Sequence, residues 1–173
     1  MITWHQTCDR LRVDRTRLQE MLTDEEKTYK GNIVLNPSYW CVVLYRISHY
    51  FFCRGHRIVA RIFWHINVML TGADISPLSD IEGGLVIIHT ASVVIFGKIG
   101  QNCTIHGWGG MGGGLKTKDI GAGPGLPILK DDVDVGPGAF VLGPFVVGNR
   151  VQIGPRCVVM RDVEDDTIIS LKT

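Results

Sequence analysis

Two histidines, His89 and His106, stand 17 residues apart in a stretch otherwise rich in aliphatic residues and glycine. Histidine suits general-base work near neutral pH, because an unperturbed imidazole titrates near pH 6.5. Such a base can take a proton from a reacting group, so general-base catalysis is the chemistry to test first. A histidine merely solvated at a corner is the alternative. Two residues past His106 lies Trp108. Its indole offers a flat apolar face and one N–H donor, a combination on which sugar rings stack. A corner aromatic packed on the following glycines is the competing reading.

The elements that must position these residues show in an unusual period. An aliphatic residue returns every sixth position as Ile75, Ile81, Ile87, Val93, Ile99 and Ile105, and again as Leu129, Val135, Val141, Val147, Ile153 and Val159. Small or apolar residues, among them Leu85, Ala91, Gly97, Cys103, Val133 and Cys157, precede most of them by two. Neither the strand period of two nor the helix period of 3.6 gives this spacing. A hexapeptide repeat does, with three short strands making one triangular coil of a parallel β-helix. At about 18 residues per coil, the two histidines fall on successive coils near one corner. A rise of about 4.8 Å per coil would let both approach one substrate.

The pattern lapses after residue 108, and a loop is expected over about 109–128, with Pro124 and Pro127 resisting strand pairing. Length keeps the six-residue phase across the gap, so an irregular coil there stays open. The acidic segment 162–166 is expected to close the prism and keep its last edge soluble.

Composition narrows the class further. The 173 residues suit one compact unit with a small appended segment. A net charge of +1 gives no electrostatic case for nucleic acid, which wants a clustered basic face. Five cysteines, odd in number and without C-x-x-C spacing, together with no secretory leader at the N-terminus, suggest free thiols in a reducing cytoplasm.

Residues 1–72 read as an N-terminal helical segment and 73–173 as the β-helix domain. Short helices are expected over 14–21 and 23–29, with Asp14 and Thr23 as caps. A clearer helix starts at Asn36-Pro37 and runs to about Phe52, followed by an apolar helix from Arg57 to Leu70. Each apolar run is shorter than the ~18 residues of a membrane span, and Arg46, Arg54, Arg57 and Arg61 interrupt them. Packing on the base of the prism and on neighbouring subunits competes with peripheral contact to an anionic membrane.

From about Pro37 to Ile169 the chain resembles the serine acetyltransferase branch of the hexapeptide acyltransferases. Within it, the resemblance is nearest to short members that acetylate capsule or exopolysaccharide sugars, of the colanic-acid type. The segment 44–49, Leu-Tyr-Arg-Ile-Ser-His, is similar to the family's AYRI-x-H helix. Residues 72–77 resemble its V-D-I-H-P entry to the first coil. Residues 88–91 resemble its D-H-A-T/G segment, with the same 15-residue step from Asp74 to His89. Residues 158–163 resemble its closing S-V-V-x-x-D-V turn.

The resemblance implies a left-handed β-helix that uses acetyl-CoA as acyl donor, assembled as a homotrimer with sites between prisms. A dimer of trimers through the helices is a further assembly it allows. It implies His89 as general base and Asp74 as the carboxylate that orients the imidazole. The glycines of 109–114, including Gly109, Gly110 and Gly113, are candidates for a cofactor-facing loop, and Lys116, Lys118 and Arg150 for phosphate contacts. Flexible or solvated roles compete for all of them. No metal is expected.

Departures bear on the acceptor. Where serine acetyltransferases carry R-H-P-K-I, residues 125–129 read Gly-Leu-Pro-Ile-Leu. The cation for a serine carboxylate is absent, and an unpaired buried carboxylate is costly. Ile88 replaces the aspartate before the catalytic histidine, and Ser170-Leu171-Lys172 replaces the family's G-V-P-A turn. The sequence therefore predicts an O-acetyltransferase acting on a sugar hydroxyl, with His106 and Trp108 in the acceptor site. A serine acetyltransferase with an altered pocket, a silent scaffold, and a metal lyase of the γ-carbonic anhydrase kind are the alternatives. The lyase needs three histidines where the prism offers two.

Overall fold

The computed structural model describes residues 2–22, 33–114 and 117–171. Among the described residues, three α-helices precede a parallel β-helix of about five turns. Helix α1 spans Trp4–Met21, ten residues longer at its start than the sequence predicts. Thr3 and Gln6 explain the difference: each side chain accepts from the other's backbone N–H, a capping box that satisfies two orphan donors. Asp14 is therefore mid-helix rather than a cap. The second helix expected before residue 30 lies outside the described residues.

Helix α2 spans Pro37–Cys53, and the Asn36 side chain accepts from the Ser38 N–H, with Pro37 pre-set for the first turn. Helix α3 spans Arg57–Thr71 and ends at Gly72, whose φ of 75° is the left-handed cap that glycine adopts without cost. The two helices are tied by Ser48 Oγ to the Ala60 carbonyl at 2.7 Å and Asn67 Nδ2 to the Cys41 carbonyl at 2.9 Å. Among the described residues, no helix is long and apolar enough to cross a membrane.

The prism has three parallel faces. The first carries β1 (Asp74–Ile75), β4 (Val94–Ile95), β7 (Gly110–Gly112), β10 (Phe140–Leu142) and β13 (Val158–Val159). The second carries β2 (Asp80–Ile81), β5 (Lys98–Ile99), β8 (Ile128–Leu129) and β11 (Val146–Val147). The third carries β3 (Val86–Ile88), β6 (Thr104–His106), β9 (Asp134–Val135), β12 (Gln152–Ile153) and β14 (Ile168–Ile169). The prism is a left-handed β-helix. Inside, Ile75, Ile81, Ile87, Ile99, Ile105, Leu129, Val135, Val141, Val147, Ile153 and Val159 form one buried stack. Each contributes roughly 1.5–3 kcal/mol by leaving water.

One coil breaks the expected phase. Ile75 is in register with Ile95, not with Val93, whereas Ile81 pairs Ile99. The corner after β3 is thus two residues longer than the later corners of that edge, and the next corner, at Phe96-Gly97, is shorter by the same amount. Val93 is buried before the strand, and Ala91 is pushed to the surface.

The expected loop begins later than predicted. Gly110–Gly112 form strand β7, with Met111 fully buried in the stack, so the described chain stays on the prism through Gly112 and is back on it at Ile128. The reason is steric: Gly110 lies against the Val94 backbone so closely that a Cβ would collide with the Val94 carbonyl. Glycine here permits strand stacking instead of preventing it.

A buried ion pair docks the helices on the first coil. Arg46 Nε and Nη2 meet the Asp14 carboxylate at 2.9 and 3.0 Å, and both side chains are buried. The same carboxylate accepts the Gly84 and Leu85 N–H groups at 2.7 and 2.8 Å. Arg17 of α1 reaches the Gly84 and Cys103 carbonyls at 2.6 and 2.8 Å.

Candidate active site

The lengthened corner carries His89. Its backbone is left-handed, with φ 57°, and the imidazole is exposed. Thr90 Oγ1 anchors the corner to the Thr71 carbonyl at 2.6 Å, and the Ser92 N–H donates to the Gly72 carbonyl. The ring itself makes no hydrogen bond or ion pair among the described residues.

Stacked on this corner is Trp108, also left-handed, whose backbone N–H donates to the Ala91 carbonyl at 2.9 Å. The residue is 64% exposed. His89 and Trp108 open on one groove of about 660 Å³, walled by the end of α1 (Leu18, Met21, Leu22), by Pro37, and by Val86 and Ile88. Among the described residues no Asp, Glu, Lys or Arg lines it. The wall from α1 had no signal in the sequence. It exists because the Asp14–Arg46 pair holds that helix against β3 (Val86–Ile88).

His106 is not part of this groove. It pairs in register with Ile88, one residue before His89, and its Nε2 lies 3.3 Å from Asp134 Oδ1. The two histidines therefore sit on neighbouring coils without converging.

Asp74, at the start of β1, is half-buried and accepts the Trp64 indole N–H at 2.7 Å through Oδ1. No hydrogen bond joins Asp74 to His89 in the single chain, contrary to a preformed pair. Trp64 was missed at the sequence level. It lies on α3 and reaches Asp74 only because that helix packs beside β1.

The cofactor candidates fall on different corners. Gly109 sits after β6 (Thr104–His106), pressed on the Ala139 carbonyl, and Gly110 lies in β7. Gly113 and Lys118 are exposed between β7 and β8, and Lys116 lies outside the described residues. Arg150 is engaged by Asp166 in a bidentate pair at 2.6 and 2.8 Å, which holds its pKa above the ordinary value. One chain does not bring these groups together. No cluster of three or more metal-ligating side chains occurs among the described residues. All five cysteines are free, and burial raises the Cys41 and Cys103 thiols to about 12, well away from thiolate chemistry.

Comparison with known proteins points one way. No protein-family model matches the chain. The serine acetyltransferase of Helicobacter pylori is 35% identical over 133 residues, covering 76% of this chain and 75% of that protein. That of Synechococcus elongatus is 33% identical over 135 residues, covering 77% of this chain but 54% of its own length. This chain thus spans little more than half of some relatives. In fold, the Neisseria gonorrhoeae serine acetyltransferase in complex with serine superposes with a TM-score of 0.84 at 22% identity, over 98% of this chain and 68% of that one. With two thirds and more of a full relative matched above 30% identity, the chain belongs to the serine acetyltransferase family of hexapeptide-repeat acyltransferases.

Proposed function

We propose that this chain is an acetyl-CoA-dependent O-acetyltransferase with His89 as its general base. The observation that carries the reading is an imidazole with both nitrogens unpartnered among the described residues, on a lengthened corner, at the mouth of a groove that can hold a small acceptor. His89 takes the acceptor's hydroxyl proton as that oxygen attacks the thioester carbonyl. The tetrahedral intermediate collapses with cleavage of the C–S bond, and the imidazolium returns the proton to the leaving CoA thiolate. Asp74, gripped at Oδ1 by Trp64, has Oδ2 free to orient the imidazole. Such contacts are often long in an empty site and tighten with substrate. Backbone N–H groups stabilise the oxyanion.

Serine is the acceptor that the names of the relatives favour. A second reading, a sugar hydroxyl on a capsule or exopolysaccharide unit, is supported by the groove. It has no described cation for a carboxylate, and it offers the exposed Trp108 face. The working unit in this proposal is a homotrimer, because a second prism would cover His89 and supply the remaining wall.

The test is CoA release from acetyl-CoA with serine and with a panel of neutral oligosaccharides. A higher kcat/KM for serine than for every saccharide sinks the sugar reading. Absence of turnover with any hydroxyl acceptor sinks the acetyltransferase. Full activity from a sedimenting monomer removes the trimeric site.

A further inference from the structure

Helix α3 is amphipathic in the reverse sense. Its inward residues are Ala60, Asn67 and Thr71, two of them polar and satisfied within the helix pair. Opposite them, Ile58, Ile62 and Met69 point outward and are 79%, 52% and 83% exposed. Residues at i, i+4 and i+11 lie on one helical face, so these three form a continuous apolar stripe. Arg57, Arg61 and His65 run along one edge of it, all exposed. Neither arginine has a hydrogen-bond or ion-pair partner among the described residues. The Cys41–Asn67 bond brings the end of α3 beside the start of α2, where Trp40 is also exposed.

From residue 33 to residue 73 the chain contains no aspartate or glutamate. This absence selects the occupant of the stripe. An isologous contact between two copies would set the arginine edge against itself with no carboxylate from the patch to pair it. An anionic lipid surface supplies both missing partners, acyl chains for the isoleucines and methionine and phosphate for the guanidinium groups. We propose that α3 lies in the interface of an anionic membrane, with Ile58, Ile62 and Met69 inserted and Arg57 and Arg61 at the headgroups. At 15 residues the helix rests on a bilayer and does not span it. This inference is independent of the acetyl acceptor.

The experiment is flotation of the full chain with vesicles of phosphatidylcholine alone and with an equal mixture of phosphatidylcholine and phosphatidylglycerol. Binding is expected to the mixed vesicles only, and to weaken as salt rises. Ile58→Asp with Met69→Asp should reduce it at least ~10-fold. Arg57→Gln with Arg61→Gln, a milder surface change, should reduce it roughly 30-fold. Both variants should keep the wild-type circular dichroism. Failure of the wild-type chain to float with anionic vesicles at low salt overturns the proposal. Binding unchanged in both variants overturns it too. So does finding that the stripe variant breaks an oligomer while the wild-type chain ignores lipid.

Discussion

The Trp64 indole N–H and the Asp74 carboxylate meet at 2.7 Å, and this bond joins the N-terminal helices to the first strand of the prism. It fixes one oxygen of Asp74, and the other is the one to which the orienting role is proposed. In the reaction proposed above, Trp64 is thus a positioning residue. Trp64→Phe keeps an aromatic ring beside Phe96 but removes the donor. Bonds to charged groups are worth about 1.5–3 kcal/mol, so kcat should drop by roughly 10-fold or more. The Michaelis constant for acetyl-CoA should stay unchanged. An unaltered kcat, with chemistry rate-limiting, would show that Asp74 needs no such anchor.

Substitution of the proposed base has a larger expected effect. His89→Ala removes no hydrogen bond or ion pair, since the ring makes none among the described residues, so the fold should be untouched. Loss of a general base costs about 10²–10⁴-fold, so kcat should fall at least ~100-fold while acetyl-CoA still binds. Retention of more than about a tenth of the wild-type rate would refute the assignment.

The Asp14–Arg46 pair should govern stability and, through α1, the groove. Both groups are buried, and removing one leaves the other without compensation, a loss of about 3–5 kcal/mol. Asp14→Ala should therefore lower the urea midpoint strongly. The double change Asp14→Leu with Arg46→Met should be milder than either single one, because no charge remains buried. If the singles prove neutral, the pair does not hold the helices.

His49 provides a pH signature. Burial lowers its pKa below 6.5, outweighing the bond from Nδ1–H to the Pro77 carbonyl at 2.9 Å. On acidification the unfolded chain is protonated first, so it gains stability relative to the folded one. Folding stability should be intact above pH 6.5, decline as pH falls below that value, and level off once the lowered folded pKa is passed. His49→Gln should flatten this decline in denaturation curves taken across the range. An identical pH slope in the variant would assign the effect to other groups.

The six-residue spacing alone determined the prism, because each inward aliphatic residue is a local choice repeated along the chain. The same is true of the Asn36-Pro37 start of α2 and the Gly72 stop of α3, which depend on neighbouring backbone donors and φ values. The prominence of His89 was equally legible. Tertiary structure decided the rest. The two residues added at the His89 corner and removed at Phe96-Gly97 cancel, so Val93 and Ile99 stay in phase and hide the slip. Asp14 looked like a cap because an isolated helix cannot reveal a partner 32 residues away. Trp64 on Asp74, and His106 on Asp134 rather than beside His89, likewise follow from which elements pack together. A repeat encodes distances along the stack, whereas contacts between helix and prism are set by burial, which no spacing records.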